Sequence, residues 1–271
     1  MKIRKLLMYV LLIAVACVFI GPFLWMLAAS LMSTRQDVFT FPPTFLPNPV
    51  TFANYASAWT SIPYAKYLLN SVLLLVIMVP IHLIVTAMAG YPLARIQFPG
   101  GKLIFYMILG TMFLPEEGKL VPLFIIIQKL GFVDSWAGIV LPGLVGGFSV
   151  FMMRQAYLSI PKEMEEAAVI DGCGMFRTWW NIMLPLIRPT VAALSVFSFI
   201  SVWNSFMWPL IVLKNDDLYP LALGLAYLLG TFGGDVKTMA AGTVISLIPV
   251  VAFYLMMQKY FVSGMQGALK G

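Results

Sequence analysis

The sequence predicts an all-α integral membrane protein with six transmembrane helices and both termini on the cytoplasmic side. Composition is the first reason. Of the 271 residues 61% are hydrophobic and 10% are charged, with a mean hydropathy of +0.92, whereas a soluble domain carries roughly 25% charged residues. The second is length: apolar segments reach the roughly 20 residues that cross a bilayer as helix. They are continuous runs rather than period-two alternations, which favours helices over a closed barrel. The third is charge asymmetry across the resulting topology.

The first expected span covers 6–31. It follows Lys2, Arg4 and Lys5 as a signal peptide would, but its apolar run continues without an A-x-A cleavage pattern, so an uncleaved helix is expected. The stretch 34–66 holds Pro42, Pro43, Pro47, Pro49 and Pro63. Proline removes backbone donors and blocks helix interiors, so this is an extended loop with at most one short helix. Further spans are expected at 67–93, 103–130, 136–157, 190–213 and 238–261. The division is then 1–66, the first helix and an extracytoplasmic loop; 67–263, a core of five spans with a polar segment at 161–189; and 264–271, a cytoplasmic tail.

With the N-terminus inside, Lys2, Arg4, Lys5, Arg95, Lys102, Arg154, Lys162, Arg177, Arg188, Lys259 and Lys270 fall on the cytoplasmic side. Arg35, Lys66, Lys119, Lys129, Lys214 and Lys237 fall opposite, as the positive-inside bias requires. The net charge of +6 is therefore spread over segment ends rather than gathered in a nucleic-acid-binding patch. Cys17 and Cys173 do not form a disulfide or metal pair by their placement.

The segment 161–189 has little to offer lipid. Pro161 suits a helix start, and Glu163, Glu165 and Glu166 suit its positive end. Ala167 and Ala168 favour helix and allow close approach. Asp171-Gly172 and Gly174 permit a reversal. A second short helix from about Phe176, presenting Phe176, Trp179, Trp180 and Ile182, is expected to stop before Pro185. The product is a rigid knob with one apolar and one charged face, a shape that docks in a groove of a soluble partner.

Glu166-Ala167-Ala168, Asp171-Gly172 and Ile182-x-Leu184-Pro185 in this spacing resemble the EAA signature of permease subunits of ATP-binding-cassette importers. The similarity extends through Asn70-Ser71, Ile160-Pro161-Lys162-Glu163, Trp203-Asn204-x-Phe206-x-Trp208-Pro209-Leu210 and the tail 264–271. It looks like the carbohydrate-uptake branch, of the type of the second maltose permease and the glycerol-3-phosphate permease. The resemblance implies a type I importer fold in a prokaryotic inner membrane and a heterodimer with a second permease. It also implies two cytoplasmic ATPase subunits that bind ATP and Mg, and an extracytoplasmic solute-binding protein. No cofactor, catalytic residue or metal ligand is implied in this chain. The ATPase-coupling residues would be Glu166, Ala167, Ala168, Asp171, Gly172, Ile182, Leu184 and Pro185, with Glu166 and Gly172 the most sensitive. The tail at 267–271 would enter the ATPase dimer interface. Cys173 departs from the usual alanine, a small-for-small change.

The resemblance implies a sugar, polyol or glycerophosphate as solute, and polar residues within the expected spans are the candidates for its pathway. Glu116, Glu117 and Lys119 follow Pro115; they read either as a broken helix near the outer mouth of the pathway or as a locally paired cluster at the membrane surface. Trp203, Asn204, Phe206 and Trp208 combine aromatic faces with an amide that donates and accepts, and Asn204 and Trp208 lead the candidates for pathway lining. His82, without an acidic partner in its span, is expected to pack through hydrogen bonds. The resemblance also implies, for the region as a whole, that the connection 214–237, with Asp216, Asp217, Tyr219, Gly230, Gly233 and Gly234, contacts the binding protein. No Walker-type G-x-x-x-x-G-K-[ST] occurs, so the chain does not cradle ATP phosphates through that loop. The competing class is an ion-gradient-driven secondary transporter, which would want two repeated halves with discontinuous helices.

Overall fold

The computed structural model describes residues 2–40, 45–231 and 235–268. In chain order the helices are α1 (Lys2–Ser30), α2 (Ala53–Ser61), α3 (Tyr64–Arg95), α4 (Gly101–Gly110), α5 (Glu116–Lys129), α6 (Trp136–Gly143) and α7 (Gly147–Leu158). They continue with α8 (Glu163–Ile170), α9 (Met175–Thr178), α10 (Leu184–Leu186), α11 (Arg188–Trp203), α12 (Met207–Val212), α13 (Leu221–Thr231) and α14 (Val236–Ala268). Among the described residues the only strand-like pairing is an isolated bridge between Met32 and Val50.

Among the described residues three helices are long and apolar enough to cross a membrane: Arg4–Ser30, Tyr64–Arg95 and Val236–Gln258. The number rises to five if two bent pairs, Trp136–Gly143 with Gly147–Leu158 and Met175–Leu186 with Arg188–Trp203, each count as one.

Several expected spans are interrupted. The one at 103–130 breaks at Leu114-Pro115, because proline lacks an N–H and drives its predecessor extended. Leu114 adopts ψ 123 there, and α5 starts afresh at Glu116. The one at 136–157 bends by 41° between Gly143 and Gly147. The one at 190–213 breaks at 204–206, and Pro209 sits in the first turn of α12, where a missing N–H costs nothing. The connection 214–237 is more ordered than expected. It contains a 3₁₀ turn, Asp216–Leu218, and α13, whose Leu221 and Leu223 are buried. Its Gly233 and Gly234 lie outside the described residues. In the tail, 264–268 continues α14 and 269–271 lie outside the described residues.

The chain divides into two compact units, residues 1–68 with 221–250 and residues 69–220 with 251–271. In the first, the buried Asn54 amide donates to the carbonyls of Ser30 (2.8 Å) and Met32 (2.7 Å), satisfying acceptors freed where α1 ends. Lys237 Nζ donates to the carbonyls of Ser33, Thr34 and Gln36 at 3.0–3.2 Å. Tyr64 donates to the Gly242 carbonyl at 2.7 Å.

The second unit is built on the cluster Ala87, Tyr91, Met153, Tyr157, Ile160, Trp179, Met183, Ile187 and Leu194, which packs α3, α7 and the helices after α8 together. A methyl group at Gly90 would lie 2.8 Å from Met153 Cβ, so α3 and α7 meet almost backbone to backbone. His82 bridges the bend between α6 and α7. Its Nδ1 pairs with the Gly143 carbonyl at 3.0 Å and its Nε2 with Ser149 Oγ at 2.8 Å.

Candidate functional site

The segment expected to form a knob is a helical hairpin. Three acids, Glu163, Glu165 and Glu166, occupy the first turn of α8. The turn closes as a Schellman motif: Cys173 N donates to Ala168 O (2.9 Å) and Gly172 N to Val169 O (3.0 Å). Gly172 takes φ +75, and no atom lies within 4 Å of where a Cβ would sit. Glycine is required there by the backbone, not by crowding.

The returning arm runs continuously from Met175 to Leu186, through a π-helical stretch at Trp179–Met183. The expected stop before Pro185 is thus corrected: the arm passes Pro185 and breaks at Ile187, where the chain turns by 77° into α11. A proline in a regular α-helix clashes with the carbonyl four residues back. The wider π register just upstream gives Pro185 its place.

The hairpin is two-sided. Ala168, Thr178, Trp179 and Met183 are buried in the unit's core, and Trp179 Nε1 donates to Tyr157 Oη at 2.8 Å. Outward stand Val169, Ile170 (85% exposed), Met175, Phe176 (66% exposed) and Trp180, together with Glu166, Ala167, Asp171 and Gly172. Of the expected coupling residues, Ala168 faces the core, Leu184 packs partly on it, and Leu184 and Pro185 border a cavity of about 320 Å³ with Trp180 and Arg188. Ile182 is half-buried on the returning arm.

Arg95, which sequence reasoning read only as a cytoplasmic charge, fixes the hairpin to its unit through Glu165. Arg95, at the last turn of α3, donates through Nη2 to the Tyr157 carbonyl (2.6 Å) and to the Ile160 carbonyl at the end of α7. Its Nε lies 3.5 Å from Glu165 Oε2 on α8. A basic residue closing an apolar span was the available signal, but its partners are backbone atoms far away in sequence.

A second grouping forms at the helix breaks. Glu116, Glu117, Asn204, Phe206 and Trp208 border one cleft of about 410 Å³ with Ser201 and Ser205. Trp208 Nε1 donates to the Gly138 carbonyl at 3.0 Å. Its ring, with Ser201 and Ser205, also borders a neighbouring cavity of about 190 Å³ beside Met78 and Ile139. Glu116 and Glu117 open α5 directly after the break at Pro115 and stand without an ion pair among the described residues. Trp203 departs from the expected grouping: it is buried and stacks on Phe199 at 5.9 Å, away from the cleft.

The family model for binding-protein-dependent transport system inner membrane components matches residues 2–267. An arabinooligosaccharide transport permease, AraQ of Halalkalibacterium halodurans, is 35% identical over 84% of this chain and 82% of its own. The diacetylchitobiose uptake permease NgcG of Streptomyces coelicolor is 34% identical over 93% and 84%. The sn-glycerol-3-phosphate permease UgpE of Yersinia enterocolitica is 31% identical over 94% and 93%. Among solved structures, a chain of a bacterial ABC transporter that imports the acidic polysaccharide alginate superposes with a TM-score of 0.82 at 26% identity, covering 96% of this chain and 97% of that one. A chain of an alginate transporter bound to a periplasmic protein gives 0.65 at 15% identity and shares the fold.

Proposed function

Because the chain belongs to the family of binding-protein-dependent transport system inner membrane components, we propose that it is one of two permeases forming the pathway of an ABC importer for an oligosaccharide or related solute. In this reading the chain crosses the membrane six times with both termini cytoplasmic, in a type I importer fold. Residues 1–66 supply the first span and outer loop, 67–263 the core, and 264–271 a cytoplasmic tail. The partners are a second permease, two ATPase subunits that bind ATP and Mg, and an extracytoplasmic solute-binding protein; this chain holds no cofactor.

The observation that carries the reading is the two-sided hairpin 163–186. Its inner face is locked into the packed core, and its outer face sets Val169, Ile170, Met175 and Phe176 beside Glu166. An exposed apolar patch rimmed by charge is the mark of a docking surface. Closure of the ATPases would push this hairpin, and Arg95 would pass the displacement to α3 and α7. At the other end of the mechanism, Glu116, Asn204 and Trp208 would line the pathway, with Trp203 supporting α11 from behind. The ion-gradient alternative yields to the family assignment.

A photoreactive benzoylphenylalanine in place of Phe176 tests the docking directly. In the assembled importer it crosslinks to the ATPase subunit. A complex that assembles and hydrolyses ATP but gives no such crosslink rejects the reading.

A further inference from the structure

A wide cleft of the second unit opens where α3 ends and α4 begins, apart from the grouping of Glu116, Asn204 and Trp208. Its volume is about 890 Å³. Four cations border it, Arg95, Lys102, Arg154 and Lys162, against two carboxylates, Glu165 and Glu166. The two arginines are held in place. Arg154 donates through Nε to the Leu93 carbonyl at 3.0 Å and lies 4.1 Å over the Phe105 ring. The Arg95 side chain is only 7% exposed, and its Nε makes no hydrogen bond.

The two lysines are exposed and have no ion pair among the described residues. Helix α4 starts at the same cleft, at Gly100-Gly101, without a side-chain cap. Its first free amides and its dipole therefore favour an anion there. Beside Gln97, the remaining side chains of the wall are apolar: Leu93, Ala94, Ile96, Phe98 and Leu103.

We propose that this cleft binds the phosphate of an anionic phospholipid. Two guanidiniums, an uncapped helix start and flanking lysines give the cleft the positive charge and donors that a phosphodiester needs. The apolar side chains of the wall accommodate the upper acyl chain, which a free phosphate would leave unused. Basic pockets between membrane helices select anionic headgroups in this way. Glu165 is already turned to Arg95, so it tempers the site's charge without occupying the lysines.

The test uses the complete importer, purified in mild detergent and examined by native mass spectrometry, then returned to nanodiscs of phosphatidylcholine with or without phosphatidylglycerol. One phosphatidylglycerol per copy of this chain is expected to survive purification. Lys102→Gln lowers its occupancy about fivefold and Lys102→Gln with Lys162→Gln about twentyfold, from roughly a factor of five per surface lysine. Both lysines are exposed, so the variants fold. Equal occupancy in wild type and double variant overturns the proposal. So does retention of phosphatidylcholine to the same extent. Displacement of the lipid by millimolar inorganic phosphate assigns the site to a free anion and equally overturns it.

Discussion

Arg95 and Glu165 join two elements with different tasks: the guanidinium ends a long apolar helix, and the carboxylate 3.5 Å away stands in the first turn of the hairpin's leading helix. The same guanidinium also holds the carbonyls of Tyr157 and Ile160. Three elements therefore share one planar donor group. Lysine, a point charge without a fork, does not replace it.

Removing Arg95 strands the Ile160 carbonyl and a largely buried carboxylate and leaves the Tyr157 carbonyl only the Ile160 amide, whereas removing the Glu165 charge leaves Arg95 with its carbonyl partners. Arg95→Ala is therefore expected to cost about 2–3 kcal/mol and Glu165→Gln about 1 kcal/mol, with Arg95→Lys between them. A double-mutant cycle on thermal unfolding of the purified complex measures the coupling. Equal losses for the two single variants would contradict this arrangement.

Gly172 separates folding from docking. Its φ of +75 strains any residue with a Cβ, yet the space around it is open. Gly172→Ala is expected to cost about 1 kcal/mol, and Gly172→Asn less, since asparagine tolerates the left-handed region. If the hairpin docks an ATPase, Gly172→Asn still fails in uptake while the protein accumulates normally, because the new side chain projects into the partner's groove. Uptake and membrane abundance measured side by side distinguish the two. Wild-type uptake by Gly172→Asn means that the turn is needed only for folding.

Much of this hairpin was legible in the chain. An acid-Ala-Ala start followed by Asp-Gly states a short helix and a reversal locally, and both occur where expected. The anchoring was not, because Arg95 meets backbone carbonyls at Tyr157 and Ile160, and a carbonyl carries no sequence signature. The helix breaks were half-legible. Pro115 and Gly143 are visible punctuation, but hydropathy averaged over a span hides where the backbone changes direction. Pro185 misled for the opposite reason, since a proline announces a break, whereas the π-helical stretch Trp179–Met183 that precedes it, with Trp179 and Met183 buried, has no sequence signature. Likewise Trp203 and Trp208 look equivalent in sequence. Only the break at 204–206 turns one into the packing and the other toward the cleft.

A loop clamp should respond to acid. Asp134 adopts φ 60 and its Oδ1 accepts from the amides of Asn215 and Lys214, each at 2.8 Å. The Asn215 amide first, then the Lys214 amide, hold its carboxyl below the usual carboxylate range. A group whose folded pKa is depressed stabilises above its unfolded pKa and loses that contribution as pH falls through the folded value. Exchange of the Lys214 and Asn215 amides, corrected for intrinsic rates, should therefore accelerate only in acid below the ordinary carboxylate range. Asp134→Asn keeps an acceptor and the left-handed turn but removes the pH dependence. An unchanged acid response in that variant would assign it to another group.

His82 makes a sharper demand, because its partners dictate its tautomer. The Gly143 carbonyl only accepts, so Nδ1 carries the proton, and Nε2 then accepts from the Ser149 hydroxyl. The bend between α6 and α7 thus depends on a neutral ring that satisfies one freed carbonyl at a helix end and one buried hydroxyl. Ser149→Ala removes a donor and leaves Nε2 unfilled, at about 1 kcal/mol. His82→Phe fills the same volume but strands both partners where water is scarce, at about 2–3 kcal/mol. Combining the two should cost less than their sum, since the hydroxyl that phenylalanine orphans is then absent. Thermal unfolding of the single and double variants supplies the comparison. Strict additivity would mean that ring and hydroxyl do not share the bond, and that the bend is held by backbone geometry alone.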